Sequence, residues 1–183
     1  MSVVIKANRF FRSVLFLIAV GGLLVSLLIL PARQEPGNQS AELVRVARVV
    51  DGDTFKLADG RRVRLLGIDT PEMHESNKLL RDASRSGQDV EIIKGLGRKA
   101  CEYVRPLIEG RKVRLEFDIE KIDKYGRLLA YVYLEDGRFL NRLIIANGYA
   151  APLSIPPNIK HADEFKELFK AARKAHLGLW AED

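Results

Sequence analysis

Arg64, Asp69 and Glu72 fall within one nine-residue stretch, RLLGIDTPE. The stretch reads as a strand that runs into a turn, so a cation, a candidate metal ligand and a candidate general base sit close together. A second acidic cluster, DGDT at Asp51 to Thr54, lies one hairpin upstream, and a second cation, Arg127 in DKYGR, lies downstream. Carboxylates are hard oxygen donors suited to calcium or magnesium. A carboxylate within reach of a water can take its proton during attack. Guanidiniums match phosphate oxygens two at a time and act most strongly where negative charge grows. Lysine lacks that fork. This is the inventory for metal-assisted cleavage of a phosphodiester.

Taken singly, each residue has an ordinary reading. Asp-Gly pairs occur at Asp51, Asp59 and Asp136, and such pairs mostly make hairpins. Asp53 is more informative, because an acid directly after the turn gains nothing from the turn's geometry. Thr70-Pro71 is itself a turn, where acids such as Asp69 and Glu72 are ordinarily solvated. Arg64 reads as a surface charge and Arg127 as a hairpin residue. Jointly the ordinary readings weaken, because all five side chains lie at strand ends or turns that a small barrel brings together.

The elements that must position them follow from periodicity. Residues 43–50, 54–58 and 61–67 read as three strands joined by Asp-Gly turns, with Val63 and Leu65 on one face and Arg62 and Arg64 on the other. Residues 73–97 read as a long polar loop with weak helical hints at 78–83. A helix is predicted over 98–109, kinked or shortened by Pro106. Strands follow at 112–119 and 127–134, a short helix at 139–147, a proline-containing loop at 150–159, and a helix at 162–175. Five strands with one helix between the third and fourth predict an α+β protein: a five-stranded OB-fold barrel with about three helices, preceded by one transmembrane helix.

The net charge of +6 invites a nucleic-acid reading, but half of the excess belongs to residues 1–41, so bulk charge alone does not establish one. The one cysteine, Cys101, excludes an intrachain disulfide and a CxxC zinc pair, and its apolar-periodic setting reads as a buried structural thiol. Residues 14–30 carry no charge and follow Lys6, Arg9 and Arg12. At ~1.5 Å per residue the run spans roughly 25 Å, the short end of what crosses a bilayer. A cleaved signal peptide competes, but no A-x-A site follows, so the reading is a transmembrane signal anchor. Residues 1–13 are then a basic cytoplasmic N-terminus and 31–41 a linker. Residues 42–183 form a domain on the far side of the cell membrane.

DGDTFKL, RLLGIDTPE, DKYGRLLAYVY and LGLW, in that order, closely resemble the thermonuclease (staphylococcal nuclease) family over residues 43–183. The resemblance implies an OB-fold nuclease that hydrolyses DNA and RNA with calcium, leaving 3′-phosphates. It implies that Asp53, Asp69 and the backbone carbonyl of Thr70 bind the ion. Glu72 would act as general base, and Arg64 and Arg127 would hold the scissile phosphate. A single metal suffices for this set. Glu72→Gln or Arg64→Ala is then expected to lower the rate by orders of magnitude with the fold intact.

This sequence also departs from the family. The family's best-known member has two tyrosines in the loop before its last helix, near a bound nucleotide, whereas residues 151–158 have none. Tyr125 in DKYGR reads either as a nucleotide contact or as a turn tyrosine. His74 is expected to be an exposed loop residue, and Trp180 to pack the C-terminal tail. A different class of function is a catalytically silent OB-fold that binds nucleic acid or a protein partner; the complete set of site residues argues against it. No protein partner is evident.

Overall fold

The computed structural model describes residues 43–74 and 76–181; the run at 14–30 read as an anchor lies outside them. Among the described residues no helix is long and apolar enough to cross a membrane. Strands β1 (Leu43–Asp51), β2 (Thr54–Leu57) and β3 (Arg62–Leu65) form the predicted meander. They close into a five-stranded barrel with β5 (Lys112–Glu116) and β6 (Leu128–Leu134), in the order β1-β2-β3-β6-β5. Every barrel pair is antiparallel except β3 with β6, which is parallel.

Alternation accounts for the barrel. Phe55, Leu57, Val63, Leu65, Val113 and Val132 point inward and are almost fully buried, while Arg62 and Lys56 point out. Helix α2 (Val90–Ile108) adds Cys101, Val104 and Ile108 to the same core. Helix α3 (Leu140–Ala146) adds Leu140, Ile144 and Ile145, and α4 (Ala162–Lys174) adds Phe165. The thiol of Cys101 is buried, as expected. Asn141 of α3, also buried, accepts from Val132 N at 3.0 Å and donates to the Leu66 carbonyl at 2.8 Å. It thereby ties β6 to the chain just after β3.

The structure revises three expectations. The third strand does not run on to Gly67. It stops at Leu65, and β4 (Gly67–Asp69) pairs with β7 (Ala151–Leu153) in a separate two-stranded sheet. Gly67 has φ +76, and a Cβ there would lie 2.6 Å from the Phe165 ring, so only glycine makes this exit from the barrel. Second, the loop expected at 73–97 contains helix α1 (Asn77–Ser86) and the first turns of α2. Ser76 Oγ caps α1 by accepting from Leu79 N at 3.0 Å, and Asp89 caps α2 by accepting from Glu91 N at 2.7 Å. Third, Pro106 does not shorten α2 by much: the helix runs to Ile108, with Pro106 in its last turn. Among the described residues the barrel therefore carries four α-helices and a closing 3₁₀ turn at Gly178–Trp180, where about three helices were expected.

Candidate nuclease site

Four of the sequence-predicted residues meet directly at the rim where β2, β3 and β4 come together. Asp53 is buried at the start of β2, and its own carbonyl accepts from Leu65 N at 2.9 Å, which fixes the turn against β3. One carboxylate oxygen takes the Thr54 hydroxyl at 2.9 Å. The other takes Thr70 N at 2.9 Å and the Thr70 hydroxyl at 3.1 Å. Arg64 bridges the two acids: Nη1 forms an ion pair with Asp53, and Nη2 donates to Asp69 at 2.7 Å. Burial alone would disfavour the charge on Arg64, but Asp53 and Asp69 beside it more than reverse that.

Glu72 sits one turn farther on, where Ser76 Oγ approaches its carboxylate at 3.5 Å. Its backbone is set by close packing: a Cβ on Gly97 of α2 would lie 2.6–2.7 Å from the Glu72 and Pro71 carbonyl groups. Arg127 comes from the other side of the closure. The parallel register Val63↔Leu128 places it beside β3. Asp123 holds it there, accepting from Arg127 N at 2.9 Å and from Nε at 2.8 Å. Burial pushes the Asp123 carboxyl up, but these hydrogen bonds and that of Tyr125 N outweigh it and hold it below its usual value.

Arg127 and Tyr125 line two grooves. One, of about 340 Å³, also exposes Arg64, Leu153 and Ile155. Leu153 and Ile155 belong to the tyrosine-free stretch 151–158. The other groove, of about 460 Å³, also exposes Glu72, Arg62 and Arg81. Tyr125 is 63% exposed, with the Arg127 guanidinium 5.5 Å from its ring centre. His74 is exposed, as expected. Trp180 packs edge-on against Phe169 of α4, 5.5 Å between ring centres, as a tail residue should.

Sequence reading missed three contributors. Asp51, read as a hairpin acid, is half-buried, and its carboxyl is pushed up by burial first and then by Glu72 and Asp53. The doubled acid in DGD was the available signal. Ser76 and Gly97 lay in the presumed loop, where nothing distinguished them.

The donor set fits a hard cation. It consists of carboxylate and carbonyl oxygens. Asp53 and Asp69 converge closely enough for one guanidinium to join them, and burial, Glu72 and Asp53 together raise the proton affinity of Asp51 beside them. Among the described residues no group of three or more His, Cys, Asp or Glu is arranged around a single metal position. The side chains would therefore supply two ligands, the Thr70 carbonyl a third, and water the rest.

A small closed barrel with paired acids and arginines gathered at its rim is an OB-fold built to meet phosphate. The pattern described as staphylococcal nuclease homologue matches residues 62–182. The thermonuclease of Staphylococcus intermedius is 35% identical over 153 residues, covering 82% of this chain and 83% of that protein. The thermonuclease of Staphylococcus hyicus is 31% identical over 147 residues, 79% of each. The endonuclease YncB of Bacillus subtilis (strain 168) is 33% identical over 144 residues, 76% of this chain and 62% of that one. The chain belongs to the staphylococcal nuclease family. It is a hydrolase of the nuclease class.

Proposed function

We propose that the protein is a calcium-dependent endonuclease that hydrolyses DNA and RNA to products ending in a 3′-phosphate. Residues 14–30 anchor it in the cell membrane, with residues 42–183 facing away from the cytoplasm. The observation that carries the catalytic reading is Arg64 held between Asp53 and Asp69, with Thr70 on the same carboxylate.

In this reading Asp53, Asp69 and the Thr70 carbonyl hold the ion. Bound calcium supplies Lewis-acid polarisation of the phosphate and offsets its charge. Arg64 and Arg127 hold the non-bridging phosphate oxygens, and their hydrogen bonds strengthen as charge builds there. Glu72 takes a proton from the attacking water. The new bond joins the water oxygen to phosphorus, the bond from phosphorus to the 5′-oxygen breaks, that oxygen takes a proton from solvent water to leave as a 5′-hydroxyl, and the phosphate remains on the 3′ side. The anchor rests on the uncharged run and its basic flank.

The test uses the full-length chain on single-stranded DNA and on RNA, with calcium, magnesium or chelator. Glu72→Gln is run alongside. Cleavage with calcium alone is expected, with 3′-phosphate ends, and a rate ~10²–10⁴-fold lower in Glu72→Gln. A folded chain that cuts under no ion overturns the proposal. Equal cutting with magnesium removes its calcium part. Release of the protein from membranes by alkaline carbonate removes the anchor.

A further inference from the structure

The groove beside Glu72 carries more positive charge than the scissile phosphate needs. Arg81 of α1 and Arg62 of β3 both line it, with Arg127 and Tyr125. Arg127 is committed to Asp123. Arg62 and Arg81 are exposed, and among the described residues neither forms an ion pair.

Arg62 is also the end of a row. It stands opposite Lys56 on β2, and Lys56 stands opposite Arg48 on β1. With strands ~4.8 Å apart, the row covers roughly 10 Å of the outer barrel face. Like charges directly opposite on neighbouring strands repel and cost stability. Among the described residues neither Lys56 nor Arg48 has an acidic partner to offset this. A polyanion lying along the row would offset it. Helix α1 is held in fixed relation to the site, because Ser76 both caps it and approaches Glu72.

We propose that Arg81, Arg62, Lys56 and Arg48 form a phosphate track that holds the nucleic-acid strand beyond the bond being cut. The proposal rests on the nuclease reading above and deepens it: the substrate is a strand of several nucleotides, gripped by its backbone. Guanidinium and ammonium groups on phosphates grip without reading sequence, so the track adds affinity and not base preference.

The test measures binding apart from cutting. The full-length chain carrying Glu72→Gln is titrated, in chelator, against a fluorescein-labelled single-stranded DNA of about 20 nucleotides, at several salt concentrations. Each phosphate contact on a single strand contributes about 0.7 to the slope of log affinity against log salt. Arg81→Ala and Arg62→Ala are each expected to reduce the slope by about 0.7, and the double variant by about 1.4. Arg81→Lys keeps the charge and is expected to keep the slope. Arg138→Ala removes an exposed arginine paired with Asp136 outside the groove, and is expected to leave the slope unchanged.

Parent slopes in both alanine variants, with far-UV circular dichroism unchanged and the wild-type chain cutting the same DNA, overturn the track and leave the nuclease reading standing. A wild-type chain that neither binds nor cuts overturns both.

Discussion

Arg64, assigned to the phosphate in the proposed mechanism, is also placed to act on stability. Its side chain is 13% exposed and that of Asp53 7%, so their pairing is shielded from water. Removing the guanidinium would leave Asp53 close to Asp69 with the charge between them gone. Breaking a buried pair by deleting one partner costs about 3–5 kcal/mol. Arg64→Ala is therefore expected to melt well below wild type in chelator, besides losing activity, whereas the residues alone implied a rate effect with the fold intact. Calcium should raise the variant's melting temperature more than that of wild type, because an ion that binds only the folded state would replace the lost charge. Equal melting of variant and wild type in chelator would show that the acids do not depend on Arg64.

At the scale of elements, the acid of one turn is aimed by the packing of a helix. Helix α2 approaches the Thr70–Glu72 turn so closely that only Gly97 fits. Alanine is a better helix former than glycine by about 1 kcal/mol, so propensity alone predicts that Gly97→Ala stabilises. The contact predicts the opposite for function. A Cβ must push the Glu72 backbone away, and misplacing a reacting group by about 1 Å costs on the order of 10²-fold in rate. Steady-state kinetics should show a kcat loss of at least about tenfold, with little change in melting temperature. An unchanged kcat would mean that the turn absorbs the extra carbon.

The same helix shows what could and could not be read from the chain. The barrel strands were legible because Val63 and Leu65 alternate with Arg62 and Arg64, and Phe55 and Leu57 with Lys56. The meeting of Asp53, Arg64, Asp69 and Thr70 was legible because all four stand at strand ends or turns that a small barrel brings together, whereas their roles came only from the resemblance to the family. The N-terminal half of α2 was not, because Gly95 and Gly97 lower its helix propensity and tertiary packing overrides them. Helix α1 was hidden by its polar composition. The break between β3 and β4 was hidden because LLGI, between Arg64 and Asp69, reads as one continuous apolar run; Phe165, distant in sequence, packs against Gly67 at the exit.

Across the whole molecule, α4 and the long β5–β6 connection are tied to the barrel around Tyr131. Its ring lies edge-on to His161, 4.6 Å between centres, and its hydroxyl donates to Asp118 at 3.3 Å. Burial and then the Asp118 charge push the phenol from 10 up to about 12. The folded chain therefore holds this proton more tightly than the unfolded chain. The associated stability is complete below pH 10 and is lost as pH rises from 10 through about 12. Thermal melts across that range should show a shallower alkaline decline in Tyr131→Phe than in wild type. Identical declines would assign the alkaline loss to other groups.

The parallel pair β3–β6 has a consequence for the chain during its own synthesis. Arg64 lies on β3 opposite Leu129 of β6, and Arg127 directly precedes β6, so no local segment contains both. Contacts between such distant segments form late, since the loop between them must first be closed. A chain still emerging from the ribosome thus exposes Asp53, Arg64 and Glu72 without the strand that completes their site. The barrel topology thus defers the meeting of Arg64 and Arg127 until synthesis has moved past the last barrel strand.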